Sequence, residues 1–190
     1  MRVVAPLGTI EVITGSMFSG KTEELISLYA SSTQRIALKP ASDTRHRPDV
    51  IVSHDGRSIP AIAVSAAGEL MDSIARFEVV FVDEIQFFDS DMVGALILKA
   101  REGARVVAAG LDFDFRRNAF RSTSQLAEHA NALVPKTAIC SRCGGVATAT
   151  QRFVGGRPAS LEDSVFVVGD LGLYEPRCES CWKLERSDSG

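Results

Sequence analysis

Gly15-Ser16-Met17-Phe18-Ser19-Gly20-Lys21-Thr22 is a glycine, four free positions and then Gly-Lys-Thr, the spacing of a phosphate-cradling loop. Glycines at both ends let successive backbone N–H groups converge on an anion, and a helix that starts there aims its positive pole at the same point. Lys21 is then placed to reach the β- and γ-phosphates of a nucleoside triphosphate, and the Thr22 hydroxyl to hold Mg²⁺. The flanks agree with this reading. Residues 9–14 alternate with β-branched side chains as a strand does, and residues 22–29 have helical spacing with acids in the first turn. All eight loop residues are therefore candidate nucleotide-binding positions. Strand, glycine-rich loop and helix decide the fold class: an α/β domain of P-loop type, with a mostly parallel sheet flanked by helices.

The second signal lies at residues 78–84, an apolar run that ends in Asp83 and Glu84. A continuous apolar run is typical of a strand buried on both faces, and acids at its carboxyl end supply the second element of a magnesium site. Asp83 is the candidate for Mg²⁺, held through water. Glu84, one residue on, points to another side and is free to act as a base.

Residues 35–40 read as another strand, followed by Asp43 and Arg45. In an open parallel sheet, ligands sit beyond the carboxyl ends of the strands, so this pair suits phosphate and Mg²⁺; a solvated surface turn is the equal alternative. Phe87 and Phe88, directly after the acids, read either as core or as a base-stacking wall. The loop at residues 110–120 mixes aromatics, acids and a basic pair, a composition that suits a planar polar ligand.

The remaining punctuation predicts a hairpin or extended loop over residues 50–59 turning at Asp55-Gly56, with His54 favoured as a turn residue and a functional role as the alternative. Helices are expected at residues 66–75 capped by Ser65, at 91–101 capped by Ser90, and from Ser122 to about 130. Strands are expected at residues 61–64, 105–109 and 131–136.

Hydrophobic residues make up 45% of the 190-residue chain and charged ones 24%, with a net charge of -3, as in a soluble globular protein whose surface is no general trap for nucleic acid. No apolar run approaches the ~20 residues of a membrane span, and the N-terminus lacks a basic-then-apolar leader, so a cytoplasmic location is expected. Four cysteines in a reducing compartment, arranged as Cys140-x₂-Cys143 and Cys178-x₂-Cys181, read as a structural zinc ribbon with no open coordination position. Two domains follow: a nucleotide-binding unit over residues 1–136 and a zinc-ribbon unit over 137–190.

Taken together, the phosphate loop with its Met17-Phe18, Asp43-Thr44-Arg45, Ser53-His54-Asp55-Gly56, Asp83-Glu84-Ile85-Gln86-Phe87-Phe88, Gly110-Leu111-Asp112 with Phe115-Arg116, and the four cysteines resemble the type II, zinc-containing thymidine kinases. The resemblance runs from about residue 8 to residue 181. It implies transfer of the γ-phosphate of ATP to the 5′-hydroxyl of thymidine with Mg²⁺, giving dTMP in nucleotide salvage, with Glu84 as general base and structural Zn²⁺. It further implies an apolar box of Met17, Phe87, Leu111, Phe115 and Phe120 for the base. Thr150 and a lasso at residues 165–174 would close over that box, with Val165, Val167, Gly169 and Tyr174 as contacts. It implies a homotetramer and feedback inhibition by dTTP.

The chain departs from the family pattern at His46, where tyrosine is usual, and at Gly169-Asp170, where a Gly-Gly pair is usual. Competing readings are a P-loop ATPase of the recombinase or helicase type, in which Glu84 would activate water, a nucleic-acid-binding zinc ribbon, and a kinase for another deoxynucleoside. The first two call for a basic stripe that the composition does not supply.

Overall fold

The computed structural model describes residues 7–165 and 173–185. Six strands form one parallel sheet: β1 (Thr9–Gly15), β2 (Arg35–Pro40), β5 (Ile62–Val64), β6 (Val79–Val82), β7 (Arg105–Gly110) and β8 (Ala132–Lys136). Their spatial order is β5-β2-β6-β7-β1-β8, and all five pairings are parallel. The apolar character of β6 and β7 follows from burial on both faces. Along β6, Val80 and Val82 join the core on one face while Phe81 joins that on the other, and β7 divides Val106 and Ala108 from Val107 and Ala109 in the same way.

The first face is covered by α2 (Ala67–Ile74), α3 (Ser90–Arg101) and α4 (Arg121–Ala127), through Leu70, Ile74, Met92, Leu96 and Leu126. The second is covered by α1 (Lys21–Ala30), through Leu25 and Ile26, and by the antiparallel hairpin β3 (Val50–Val52) and β4 (Ser58–Pro60), through Ile51 and Ile59. Helices on both faces of a parallel sheet are the expected doubly wound solution.

Two expected caps differ from the sequence reading. Asp89, not Ser90, caps α3, because its carboxylate accepts the Met92 N–H at 2.8 Å. Ser65 lies before α2 and contributes no cap to its N–H groups; instead its own N–H and hydroxyl donate to Glu69. The helix begun near Ser122 ends at Ala127.

Beyond the sheet, β9 (Ala138–Ile139) pairs with β10 (Val146–Ala147), and β11 (Ala149–Val154) pairs with β12 (Arg157–Pro158) and β13 (Tyr174–Arg177). Gly155 and Gly156, both at positive φ, turn the β11–β12 hairpin as their sequence suggests. Of the lasso at residues 165–174, Val167 and Gly169 lie outside the described residues. No helix among the described residues is long and apolar enough to cross a membrane.

Candidate active site

The carboxyl ends of β1, β2, β6 and β7 open onto one edge of the sheet, and the residues singled out in the sequence lead away from them. Gly15 has φ 142° and Gly20 φ 78°, and a Cβ on Gly15 would stand 2.2 Å from the Lys136 carbonyl oxygen of β8. Only glycine fits where the loop leaves β1. Phe18 is also left-handed at φ 62°, and its ring meets His54 of the β3–β4 hairpin edge to face at 5.7 Å.

Inside the loop, Lys21 Nζ donates to the Ser16 carbonyl at 2.6 Å and the Ser19 hydroxyl donates to the same oxygen at 2.8 Å. Burial lowers the Lys21 ammonium below the ordinary lysine range, against the pull of Glu84, Asp83 and Asp112.

The Thr22 hydroxyl donates to Asp83 at 3.2 Å, so the first turn of α1 and the end of β6 meet as a P-loop magnesium site requires. Burial, and then the adjacent Glu84, push the Asp83 carboxyl up to about 7.

Glu84 adopts the left-handed conformation, φ 55°. Its Oε1 accepts from the Arg45 guanidinium and its Oε2 from the Gln86 amide. Arg45 is held in turn by Asp43, whose Oδ1 accepts from Arg45 Nε at 2.7 Å. Burial raises the Asp43 carboxyl, but the Arg45 and Lys39 cations overcome this and hold it below the ordinary carboxylate range. Asp43 and Arg45 thus form part of one ionic cluster with Glu84 rather than a detached surface turn.

Gln86, which the sequence offered only as part of a motif, is a bridging residue of the site. Its Oε1 accepts the Leu111 N–H at 3.0 Å, linking Glu84 to the loop after β7. Gly110 makes room for it, since a Cβ there would meet Ile85 Cγ2 at 2.5 Å and Gln86 Oε1 at 2.7 Å. Gly110→Ala is therefore expected to cost about 1–3 kcal/mol of stability from overpacking, read by denaturant unfolding. An unchanged unfolding midpoint would show that the Gln86 bridge tolerates displacement.

The aromatic residues divide. Phe115 is buried, Leu111 follows Gly110 beside Gln86, and Phe120 precedes the first turn of α4. The Met17 N–H donates to the Thr150 hydroxyl at 3.0 Å, which brings the phosphate loop against β11. Phe87 is half-exposed and lines a cavity of about 170 Å³ with Pro40, Val64 and Met92, whereas Phe88 is buried in the core. Val165 and Tyr174 are both half-buried, Tyr174 opening β13 opposite Arg152. A larger cavity of about 470 Å³ opens beside the phosphate loop, between Phe18, Ser19 and Gly20 on one side and the β9–β10 turn on the other.

The four cysteine sulfurs lie within 4.8 Å of one another, with Cys143 and Cys178 at 3.6 Å. A tetrahedral metal with bonds of about 2.3 Å sets its sulfurs about 3.8 Å apart, so the donor set fits zinc. The thiols also divide their protons unevenly. Despite burial, neighbouring backbone N–H groups bring Cys140 down to about 6, while a hydrogen bond with Cys178 pushes Cys181 up to about 12. A metal bound here would require all four as thiolates and would release the remaining thiol protons.

This cluster is tied to the loop after β7. The Trp182 indole N–H donates to the Phe115 carbonyl at 3.0 Å, Arg117 pairs with Glu179 at 3.0 Å, and the Arg152 guanidinium lies 5.3 Å from the centre of the Phe115 ring. Trp182 and Arg152 carried no signal in sequence, because each acts through a partner distant along the chain.

Comparison with known proteins adds two findings. A family model described as thymidine kinase matches residues 8–182. Among solved structures, the chain is similar to the ATPase DotB of Legionella pneumophila at 16% identity and a TM-score of 0.43, with 73% of this chain and 43% of that one covered. The chain thus spans less than half the length of that ATPase.

Proposed function

The chain belongs to the thymidine kinase family and is a phosphotransferase; from that premise we propose that it transfers the γ-phosphate of ATP to the 5′-hydroxyl of thymidine, giving dTMP. The observation that carries this reading is the junction of Thr22 and Asp83 beside a Glu84 anchored by Arg45 and Gln86. It supports a donor cradle and a proton acceptor that meet at one edge of the sheet.

In this reading residues 15–22 bind the triphosphate, with Lys21 moving from the Ser16 carbonyl to phosphate oxygen. Its ammonium and the loop N–H groups stabilise charge on the transferring phosphoryl, because such transfer is mainly positioning and electrostatics. Arg45 contacts phosphate from the opposite side, held by Asp43. Thr22 and Asp83 are the residues that would hold Mg²⁺, which would supply charge neutralisation to the phosphates. Glu84 accepts the proton of the 5′-hydroxyl as the oxygen attacks phosphorus.

The base occupies the apolar side formed by Met17, Leu111, Phe115 and Phe120, with Phe87, Thr150, Val165, Val167, Gly169 and Tyr174 completing it. The 470 Å³ cavity beside Phe18 has the size to receive the donor's base and ribose. Residues 1–136 form the transfer unit in this account. Residues 137–190 form the lid unit, in which Cys140, Cys143, Cys178 and Cys181 hold Zn²⁺ and anchor a segment that excludes water on closure. A cytoplasmic homotetramer restrained by dTTP completes the proposal.

The test is ADP release from Mg·ATP in the presence of each deoxynucleoside in turn. Stimulation by thymidine above the others is expected; equal rates with and without thymidine would overturn the reading.

The raised Asp83 carboxyl adds a pH dependence. With a value of about 7 in the free protein, Asp83 carries a proton below that pH and a cation must displace it. Mg²⁺ affinity is therefore expected to weaken about tenfold between pH 8 and pH 6, with proton release on binding measured by calorimetry in two buffers. A pH-independent affinity would remove Asp83 from the metal site.

A further inference from the structure

Lys39, near the end of β2, is 1% exposed, a lysine side chain buried in a strand whose other residues are mostly apolar. It lies two residues after Ala37, so it points to the same face, under the β3–β4 hairpin that Ile51 and Ile59 pack against the sheet. Its ammonium uses all three donors. Nζ stands 3.2 Å from Asp43 Oδ2, 3.4 Å from the Val50 carbonyl and 3.5 Å from the Arg47 carbonyl. These contacts pin both ends of the turn between β2 and β3.

Asp43 is the hinge of the arrangement. One carboxylate oxygen faces Lys39, while the other accepts from Arg45 Nε at 2.7 Å and from the Arg45 backbone N–H at 3.3 Å. Arg45 then reaches Glu84. Exposure of the side chains rises along this path, from 1% at Lys39 and 9% at Asp43 to 44% at Arg45. The path therefore runs from a buried anchor at Lys39 to a solvent-accessible guanidinium at Arg45.

We propose that Lys39 is a positioning residue for phosphoryl transfer: its buried ammonium locks Asp43 and the following turn, and so aims Arg45 at Glu84 and at the donor phosphate. Lys39 touches no substrate. An apolar residue would fill the same space but would leave Asp43 with one cation and take a side-chain donor from the Arg47 and Val50 carbonyls, and Arg45 would lose its fixed direction. The assignment rests on the kinase reading above.

A double-mutant cycle with Lys39→Met and Arg45→Met tests it. Lys39→Met is expected to lower kcat/KM for ATP by about 10- to 100-fold while the KM for thymidine stays within about twofold, because only the donor side is misaligned. The double variant is expected to match Arg45→Met alone within about twofold, since both changes break one path. Losses that multiply independently would overturn the proposal, as would a lowered melting temperature with unchanged kinetic constants for the folded protein.

If Lys39→Met does not fold, Lys39→Gln replaces it in the cycle, because it keeps a polar amide at the position while removing the charge. The same cycle read as Mg·ATP affinity by direct titration needs no acceptor. Should the wild type leave thymidine unphosphorylated, the transfer reading falls, while coupling or independence of Lys39 and Arg45 in ATP binding still decides this proposal.

Discussion

Glu84→Gln is expected to lower kcat by ~10²–10⁴ while Mg·ATP still binds, because the substitution removes the proton acceptor and leaves the phosphate cradle intact. The surroundings of Glu84 explain why so small a change should matter. A carboxylate offers an acceptor oxygen to Arg45 and another to Gln86, whereas an amide can satisfy only one of those donors. Gln86 cannot simply turn to compensate, since its own oxygen accepts the Leu111 N–H. The variant thus loses both the base and part of the link to the loop after β7. Separate measurement of kcat and of nucleotide affinity resolves the two: a loss confined to kcat supports the base, and an unchanged kcat removes Glu84 from that role.

Cys140→Ser is expected to release zinc and lower the melting temperature by ~10 °C, a consequence of opening a closed four-sulfur site that contributes folding free energy. Cys140 is the buried member of the cluster, so its replacement is not relieved by solvent. The damage should spread to the site, because Trp182 and Glu179, beside the second cysteine pair, hold Phe115 and Arg117 in the loop after β7. A raised KM for thymidine is therefore expected alongside the lost metal. Elemental analysis and thermal unfolding check both effects, and wild-type protein that contains no zinc would contradict the account of the ribbon.

Much of this was legible in sequence where the signal was local. The phosphate loop announces itself because glycine spacing and a strand–helix context are properties of neighbouring residues, and its fold class holds in the six parallel strands. The apolar run before Asp83 foretold a strand buried on both faces, and β6 divides its side chains between the two cores. The paired cysteines converge as their spacing implied.

What escaped depends on contacts between distant segments. Asp43 and Arg45 read equally well as a surface turn because Glu84, their partner, lies 39 residues beyond Arg45. Gln86 looked like part of a motif rather than a bridge, because the N–H it accepts belongs to Leu111 across the sheet edge. Asp89 displaced Ser90 as a cap because both residue types suit the position, and only the backbone geometry selects between them.

The most direct measurement of the central claim follows the γ-phosphate itself. With γ-labelled ATP, Mg²⁺ and thymidine, the label is predicted to appear in thymidine 5′-monophosphate in step with ADP, as expected when Glu84 activates a hydroxyl held over the cradle. Label appearing as inorganic phosphate at a rate indifferent to thymidine would mean that Glu84 activates water, and would contradict the kinase account.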